Sequence, residues 1–230
     1  MNPVERIVRY GAVLTSLGRL KQLTDSLAAS GSTLDLIRES FRFCNGFLSP
    51  VQVEEEIRLL IEEVRALRPA TVLEIGTSMG GTLFLWCRIA DPGALVISVD
   101  LPGGKFGGGY SRLRTPVYKR FPQPGQTLHL MRANSHAPET FAAVRERLNG
   151  RKVDFLFIDG DHTYEGVRQD WETYRTLVRP GGLIAFHDVA MNYKDTRVKQ
   201  LWDEIRDSYQ SREYAYHPRG FYGIGVVTMP

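Results

Sequence analysis

The chain is 230 residues long, 43% hydrophobic and 24% charged, with a formal net charge of +3. That size and composition suit one folded unit with at most an appendage. A small charge without a dense Lys/Arg run argues against a nucleic-acid partner. No window of about 18 residues is continuously apolar, so no membrane span is expected. The first residues lack the charged-then-apolar pattern and cleavage site of a secretion signal. The two cysteines, Cys44 and Cys87, have no metal-type spacing, and the expected location is cytoplasmic.

In chain order, apolar residues fall at helical spacing over residues 3–28 (Val4, Ile7, Val8, Val13, Leu14, Leu17, Leu20, Leu23), and a second short helix is expected from Thr33 to Phe43. A third is expected to start with Ser49 as N-cap, Pro50 at the first helical position and Gln52 three residues after the cap. Its apolar stripe is Ile57, Leu60, Ile61, Val64 and Leu67, and Pro69 ends it. Residues 1–48 thus read as an N-terminal helical extension, either a lid or an oligomer contact such as a homodimer would use, and residues 49–230 as the main domain. From Thr71 onward, strands expected at 71–75, 95–99, 127–131, 153–158, 181–186 and 222–228 alternate with helices at 80–90, 138–148, 164–178 and 195–209. Continuous apolar strands alternating with helices predict an α/β fold, a mostly parallel sheet with helices on both faces. The glycine-rich run Pro102–Arg112 follows the second strand and reads as a loop able to close over a substrate.

The sharpest local signal is VLEIGTSMGG, Val72 to Gly81. An apolar run carrying one acid, Glu74, ends at Gly76; Gly80 and Gly81 follow, and then an apolar helical stretch. This is a buried strand turning tightly into a helix, where glycines let a ligand approach the backbone and the helix offers free N–H groups. Ser78 stands where a dinucleotide fingerprint needs its second glycine, and Thr82 and Leu83 follow Gly81 where a phosphate loop needs Lys and Ser/Thr. An acid two residues before the first glycine suits a cofactor with a positive charge. Asp100, ending the second strand, can accept both hydroxyls of a ribose, a device that nicotinamide enzymes share.

The order E-x-G-x-x-x-G resembles the first motif of the class I S-adenosylmethionine (SAM) methyltransferases, and most closely their O-methyltransferase branch. That resemblance, over roughly Thr71 to Asn192, implies a Rossmann-like seven-stranded sheet with an antiparallel C-terminal strand. It implies SAM contacts from Glu74, through the amino group, and from Gly76, Thr77, Ser78, Gly80, Gly81 and Asp100. Asn134 and Ser135 end the third strand, where the family often has an acid facing the adenine; Asn134 departs from that pattern, and a helix cap before Pro138 is the other reading.

The fourth strand ends in Asp159, Asp161 and His162, and the fifth in His187 and Asp188. If the strands are neighbours these groups converge, and converging carboxylates repel unless a cation or protons neutralise them. A hard divalent ion is the simplest solution. The pattern is similar to the metal-dependent O-methyltransferases of the catechol, caffeoyl-CoA and macrolide-sugar type. The likeness implies Asp159, His187 and Asp188 as metal ligands and His162 as general base. His187 departs from the family's usual acid: either the metal is a borderline one such as Mn²⁺, Zn²⁺ or Fe²⁺, or His187 is a second base, or there is no metal. Asp161 and Thr163 are expected to cap the following helix. The expected activity is methyl transfer from SAM to a hydroxyl of a small molecule or sugar, assisted by Mg²⁺ or Mn²⁺. The alternatives are a metal-independent methyltransferase, a NAD(P)-binding reductase and a non-catalytic SAM-fold protein.

Overall fold

A computed structural model describes residues 11, 14–25, 32–106, 109–191 and 193–230. Seven strands form one sheet in the order β3-β2-β1-β4-β5-β7-β6. They are β1 (Thr71–Ile75), β2 (Leu95–Asp100), β3 (Thr127–Arg132), β4 (Val153–Ile158), β5 (Val178–His187), β6 (Gln210–Tyr214) and β7 (Ile224–Thr228). Strands β1 to β5 pair in parallel, and β7 runs antiparallel to both β5 and β6. The helices are α1 (14–25), α2 (Thr33–Arg42), α3 (Glu54–Leu67), α4 (Gly81–Ile89), α5 (Thr115–Tyr118), α6 (Pro138–Leu148), α7 (Tyr164–Tyr174) and α8 (Val198–Ile205).

The central strands are apolar throughout because both sheet faces are covered. Alternate residues go to opposite sides. Val72, Val96, Phe155, Phe157 and Ala185 share one core with Leu20, Ile37, Ile57, Leu60, Phe84 and Trp86, from α1 to α4. Leu73, Ile75, Ile97, Val99, Leu156 and Ile184 share the other with Val144, Val167, Trp171 and Trp202, from α6 to α8. Each fully buried Val, Leu, Ile or Phe among them contributes on the order of 1.5–3 kcal/mol. Leu20, Leu23, Leu36 and Ile37 are buried in the first core, so the described part of the N-terminal extension packs on the domain. Val4, Ile7, Val8 and Val13 lie outside the described residues, as do residues 107, 108 and 192. Among the described residues no helix is long and apolar enough to cross a membrane.

The structure corrects several boundaries. The N-cap of α3 is Val53, not Ser49, and no side chain caps it. Instead Glu54, Glu55 and Glu56 fill the first turn, where acids favour the positive helix end. Gln52 does not reach back toward a cap because its amide bonds Asp159, 107 residues away. The expected tails of α7 and α8 tighten into 3-10 turns at Arg175–Leu177 and Arg206–Ser208. Strand β5 begins earlier than expected, with Val178 paired to Val153 across a register shift. Strand β6 has no counterpart among the strands placed from sequence. Its residues QSREY are polar because it is a sheet edge with a single partner, and charged edges resist further pairing.

Candidate active site

The strand order reverses between β1 and β4, and α/β sheets bind ligands outside the carboxyl ends of strands at such a point. Gly76 sits there. Its N–H bonds Val99 O at 2.8 Å, and Asp159 N–H bonds Ile75 O at 2.8 Å, so the ends of β2, β1 and β4 are tied together. With φ at +91°, an added Cβ would stand 2.0 Å from Asp159 O. Only glycine fits this position. Gly81 is needed for a different reason: a Cβ there would meet Leu48 O at 2.1 Å, because the segment entering α3 crosses it.

On one side of Gly76 lies a cavity of about 260 Å³, lined by Asp100, Phe106, Asn134, Ser135 and His136 among others. Asp100 is buried, and its Oδ2 accepts from the N–H groups of Ser78 (3.0 Å) and Tyr110 (3.2 Å). Burial raises its carboxyl above the usual range, and the backbone donors oppose that rise. Ser78 holds a left-handed φ of +45° to make this contact. Asn134 Oδ1 accepts from His136 N–H at 3.0 Å, and α6 has Ala137 as its N-cap, so the pair Asn134-Ser135 forms a turn and caps no helix. Gly80 is the N-cap of α4, and Thr77 spends its hydroxyl on Ser98. Thr163 caps α7 and Asp161 Oδ1 accepts from both its N–H and its hydroxyl, as expected for that helix start.

Glu74 lines neither this cavity nor the smaller one beside Gln52. Its Oε1 accepts from Thr82 Oγ1 at 2.7 Å and Trp86 Nε1 at 3.0 Å, deep in the core. Burial pushes its pKa up to about 8, against the opposing pull of these hydrogen bonds. Trp86 is itself held edge-on by Phe155 and Phe157, with centroids 4.9 and 5.3 Å away.

On the other side of Gly76, β4 and β5 deliver two carboxylates and two imidazoles in alternation. His162 Nδ1 is 2.7 Å from Asp188 Oδ2, and His162 Nε2 is 3.5 Å from Asp159 Oδ1. His187 Nδ1 is 3.0 Å from Asp159 Oδ1 and 3.5 Å from Asp188 Oδ1, which closes the ring. His187 and Asp188 are each 3% exposed. Burial disfavours the imidazolium of His187, but the charges of Asp159 and Asp188 outweigh it and raise the group to about 9. His162 is raised as well: burial lowers it, and the hydrogen bond to Asp188 with the charge of Asp159 more than compensates. For Asp188, burial works upward but the two imidazoles hold the carboxyl below its ordinary value. Asp188 adopts φ +64°, a strained region that clusters at functional sites.

Four residues that sequence reasoning missed complete the ring. Gln52 Nε2 donates to Asp159 Oδ2 at 2.8 Å. The Phe106 ring lies parallel to His162 with centroids 4.9 Å apart, and Tyr222 stacks on His187 at 5.8 Å. Glu56, wholly buried on α3, accepts from the N–H groups of Tyr216 (2.7 Å) and Gly223 (3.1 Å) and so holds the segment bearing Tyr222 against the site. Glu56 was visible as an acid four residues before Leu60 on an apolar stripe. In the sequence Gln52 reads as part of a helix start, Phe106 as part of the glycine-rich run and Tyr222 as the first residue of the strand expected at 222–228.

This topology and switch-point site are those of the Rossmann-like methyltransferases. Residues 73–189 match the family described as a methyltransferase domain, and the chain belongs to that family. Among curated proteins, the chain is 27% identical over 168 residues to the uncharacterized protein y4gI of Sinorhizobium fredii (strain NBRC 101917 / NGR234). That match covers 71% of this chain and 18% of y4gI, so the chain spans less than a fifth of that relative's length. Among solved structures, the O-methyltransferase TomG from Streptomyces achromogenes, in complex with SAM, superposes with a TM-score of 0.56 at 15% identity, covering 86% of this chain and 90% of TomG. The MycE methyltransferase of the mycinamycin biosynthetic pathway, in complex with Mg and SAH, gives 0.54 at 18% identity, covering 85% of this chain and 54% of MycE.

Proposed function

We propose that the chain is a SAM-dependent O-methyltransferase acting on a hydroxyl of a small molecule or sugar, with His162 as general base. The carrying observation is the Asp159–His162–Asp188–His187 ring, which adjoins the cavity lined by Asp100 across Gly76. Asp100 and the Asn134–His136 turn suit the ribose and base of a nucleoside. Transfer from a sulfonium needs an aligned, deprotonated hydroxyl more than any other help. The 2.7 Å contact with Asp188 supports a neutral His162 protonated on Nδ1, with Nε2 as the basic nitrogen on the side of Asp159. Asp188 orients the ring and stabilises the imidazolium formed, the arrangement that serves proton transfer in other His–Asp pairs.

A divalent cation would be held by Asp159, His187 and Asp188, and once bound would lower the pKa of the acceptor hydroxyl. The donor chemistry fits such an ion: Asp188 Oδ1, His187 Nε2 and Gln52 Oε1 are buried without a hydrogen bond. The mixture of imidazole and carboxylate favours Mn²⁺ or Zn²⁺ over Mg²⁺. Among the described residues no three such groups stand in the spacing of a formed ion site. The paired imidazoles and carboxylates also support a second reading, in which two imidazolium protons balance the carboxylates and transfer proceeds without metal.

Calorimetric titration with S-adenosylhomocysteine (SAH), beside NAD⁺, tests the cofactor. Binding of SAH and not NAD⁺ is expected, and the reverse would overturn the reading. Titration with Mn²⁺, followed by turnover before and after EDTA, separates the two versions. Bound Mn²⁺ with EDTA-sensitive turnover supports the metal, whereas undiminished turnover in EDTA removes it.

A further inference from the structure

Asp170 is a carboxylate with no part in the chemistry described so far. It is wholly buried on α7, and neither of its oxygens has a hydrogen bond. It lies behind the wall of the larger cavity: a Cβ added to Gly160, which lines that cavity, would stand 3.7 Å from Asp170 Oδ2. His136, in the same wall, brings Nε2 to 3.4 Å from Asp170 Oδ1 and 3.2 Å from Gly166 O. The contact with Gly166 supports a proton on Nε2, since a carbonyl oxygen only accepts, and Nδ1 is then the nitrogen that titrates.

Three contacts dock the turn that carries His136 on α7. Tyr174 OH donates to Ser135 O at 2.8 Å, and Gln169 Nε2 donates to His136 O at 3.2 Å. Neither changes charge near neutral pH, because the amide does not titrate and burial raises the Tyr174 phenol further above its usual range. The imidazole contact is different. A buried anion without hydrogen bonds is costly unless a charge or a proton offsets it. Either His136 is an imidazolium or Asp170 is itself protonated; in both forms the pair holds one titrating proton and has no net charge. Loss of that proton leaves a bare anion behind the cavity wall. Burial raises the Asp170 carboxyl against the opposing pull of His136. Asp170 in turn raises His136 against the lowering effect of burial, and Asp161 adds a smaller push the same way. Of the other charged groups around the turn, Asp100 and Lys105 line the cavity, and Glu139 of α6 and Glu165 of α7 are exposed.

We propose that Asp170 is a positioning residue for the larger cavity: through His136 it docks the Asn134–His136 turn on α7, and the proton held by the pair couples that docking to ligand binding, a reading that rests on a nucleoside occupying the cavity. Binding then draws a proton from solvent wherever the free pair has begun to lose its own. Affinity falls as pH rises through and beyond the ordinary imidazole range, since the docked turn favours the protonated pair.

The probe is 5′-methylthioadenosine, which has the nucleoside and sulfur of the cofactor and brings no titrating group to the neutral range. Calorimetry on the full chain, at about pH 6 and about pH 9 and in two buffers of different ionisation enthalpy, reads affinity and proton uptake together. The expected affinity is about fivefold or more weaker at the higher pH, within the weight of a hydrogen bond to a charged group, with proton uptake on binding between the two. Asp170→Asn keeps the size of the side chain and removes its charge, so affinity should differ by no more than about twofold over the same range, without uptake. His136→Gln keeps an N–H for Gly166 O but has no titrating nitrogen. It should give the same flat profile, and it decides the matter if Asp170→Asn does not fold. Dependence retained in the variants would overturn the proposal, even with affinity lowered evenly, because Asp100 or an imidazole of the catalytic ring would then be the group that titrates. So would an unmutated chain whose affinity does not change with pH; the nucleoside site would then stand without the coupling. If the unmutated chain bound neither methylthioadenosine nor SAH, the nucleoside reading would fall and the proposal with it.

Discussion

The two sides of Gly76 are built by different means. On the nucleoside side much of the framework is backbone: the turn from Gly76 to Gly81, whose Ser78 N–H bonds Asp100. On the ring side the determinants are side chains from separate strands, His187 reaching Asp159 28 residues away and Gln52 reaching it from 107. A backbone-built half tolerates side-chain exchange away from its glycines. A side-chain-built half depends on strand register, since a slip of one residue would turn each group to the other face.

The residue shared by both sides offers the largest effect. Gly76→Ala is expected to destabilise the fold by at least about 3 kcal/mol, from the left-handed strain of about 1–2 kcal/mol and the forced displacement of β4. It should therefore remove SAH binding and turnover together. Denaturant unfolding checks this, and a variant with unchanged midpoint and intact binding would mean that the two sides are not joined at this point.

His162→Ala should separate the sides instead. Turnover with an acceptor found by screening is expected to fall about 10²- to 10⁴-fold, the usual contribution of a general base, with SAH affinity within a few-fold of the unmutated chain. Loss of SAH affinity in step with turnover would show that the ring belongs to the cofactor site.

The smallest effect sharpens the contrast behind the nucleoside side. Glu74 has a pKa of about 8 in the fold against an ordinary 4.5. Between these values the folded state keeps a proton that the unfolded state has lost, so this group's contribution to stability falls as pH rises from about 4.5 to 8. Glu74→Gln keeps an acceptor for Thr82 and Trp86 and removes the titration. The urea midpoint of the unmutated chain should drop more between pH 5.5 and 7.5 than that of the variant. Parallel curves would mean that the carboxyl titrates normally.

Much of the fold could be read in the sequence because its signals are local. Runs such as VLEI and DFLFI announce buried strands, and the stripe Ile57, Leu60, Ile61, Val64 announces α3. The polar edge strand β6 escaped because QSREY owes its conformation to β7 rather than to its own residues. Asp159, His162, His187 and Asp188 were legible as strand-end groups, and β4–β5 pairing brings them together. Their pairing was less so, because it depends on which nitrogen faces which oxygen. Gln52 looked like part of a helix start, and only the approach of β4 gives its amide another partner. Glu74 was legible as an acid beside a glycine turn, but the indole that shields it lies one helix away.

Strand β7 is inserted between β5 and β6, although both precede it in the chain. His187 stands opposite Ile224 in that pairing, and the ring of Tyr222 covers its imidazole. Strands β1 to β5 carry the nucleoside turn and the four ring residues, whereas the wall over His187 comes from β7 and the segment that leads into it. The reaction chamber thus borrows one wall from the last strand in the chain, so a change in β7 pairing would uncover His187 while leaving the nucleoside turn in place.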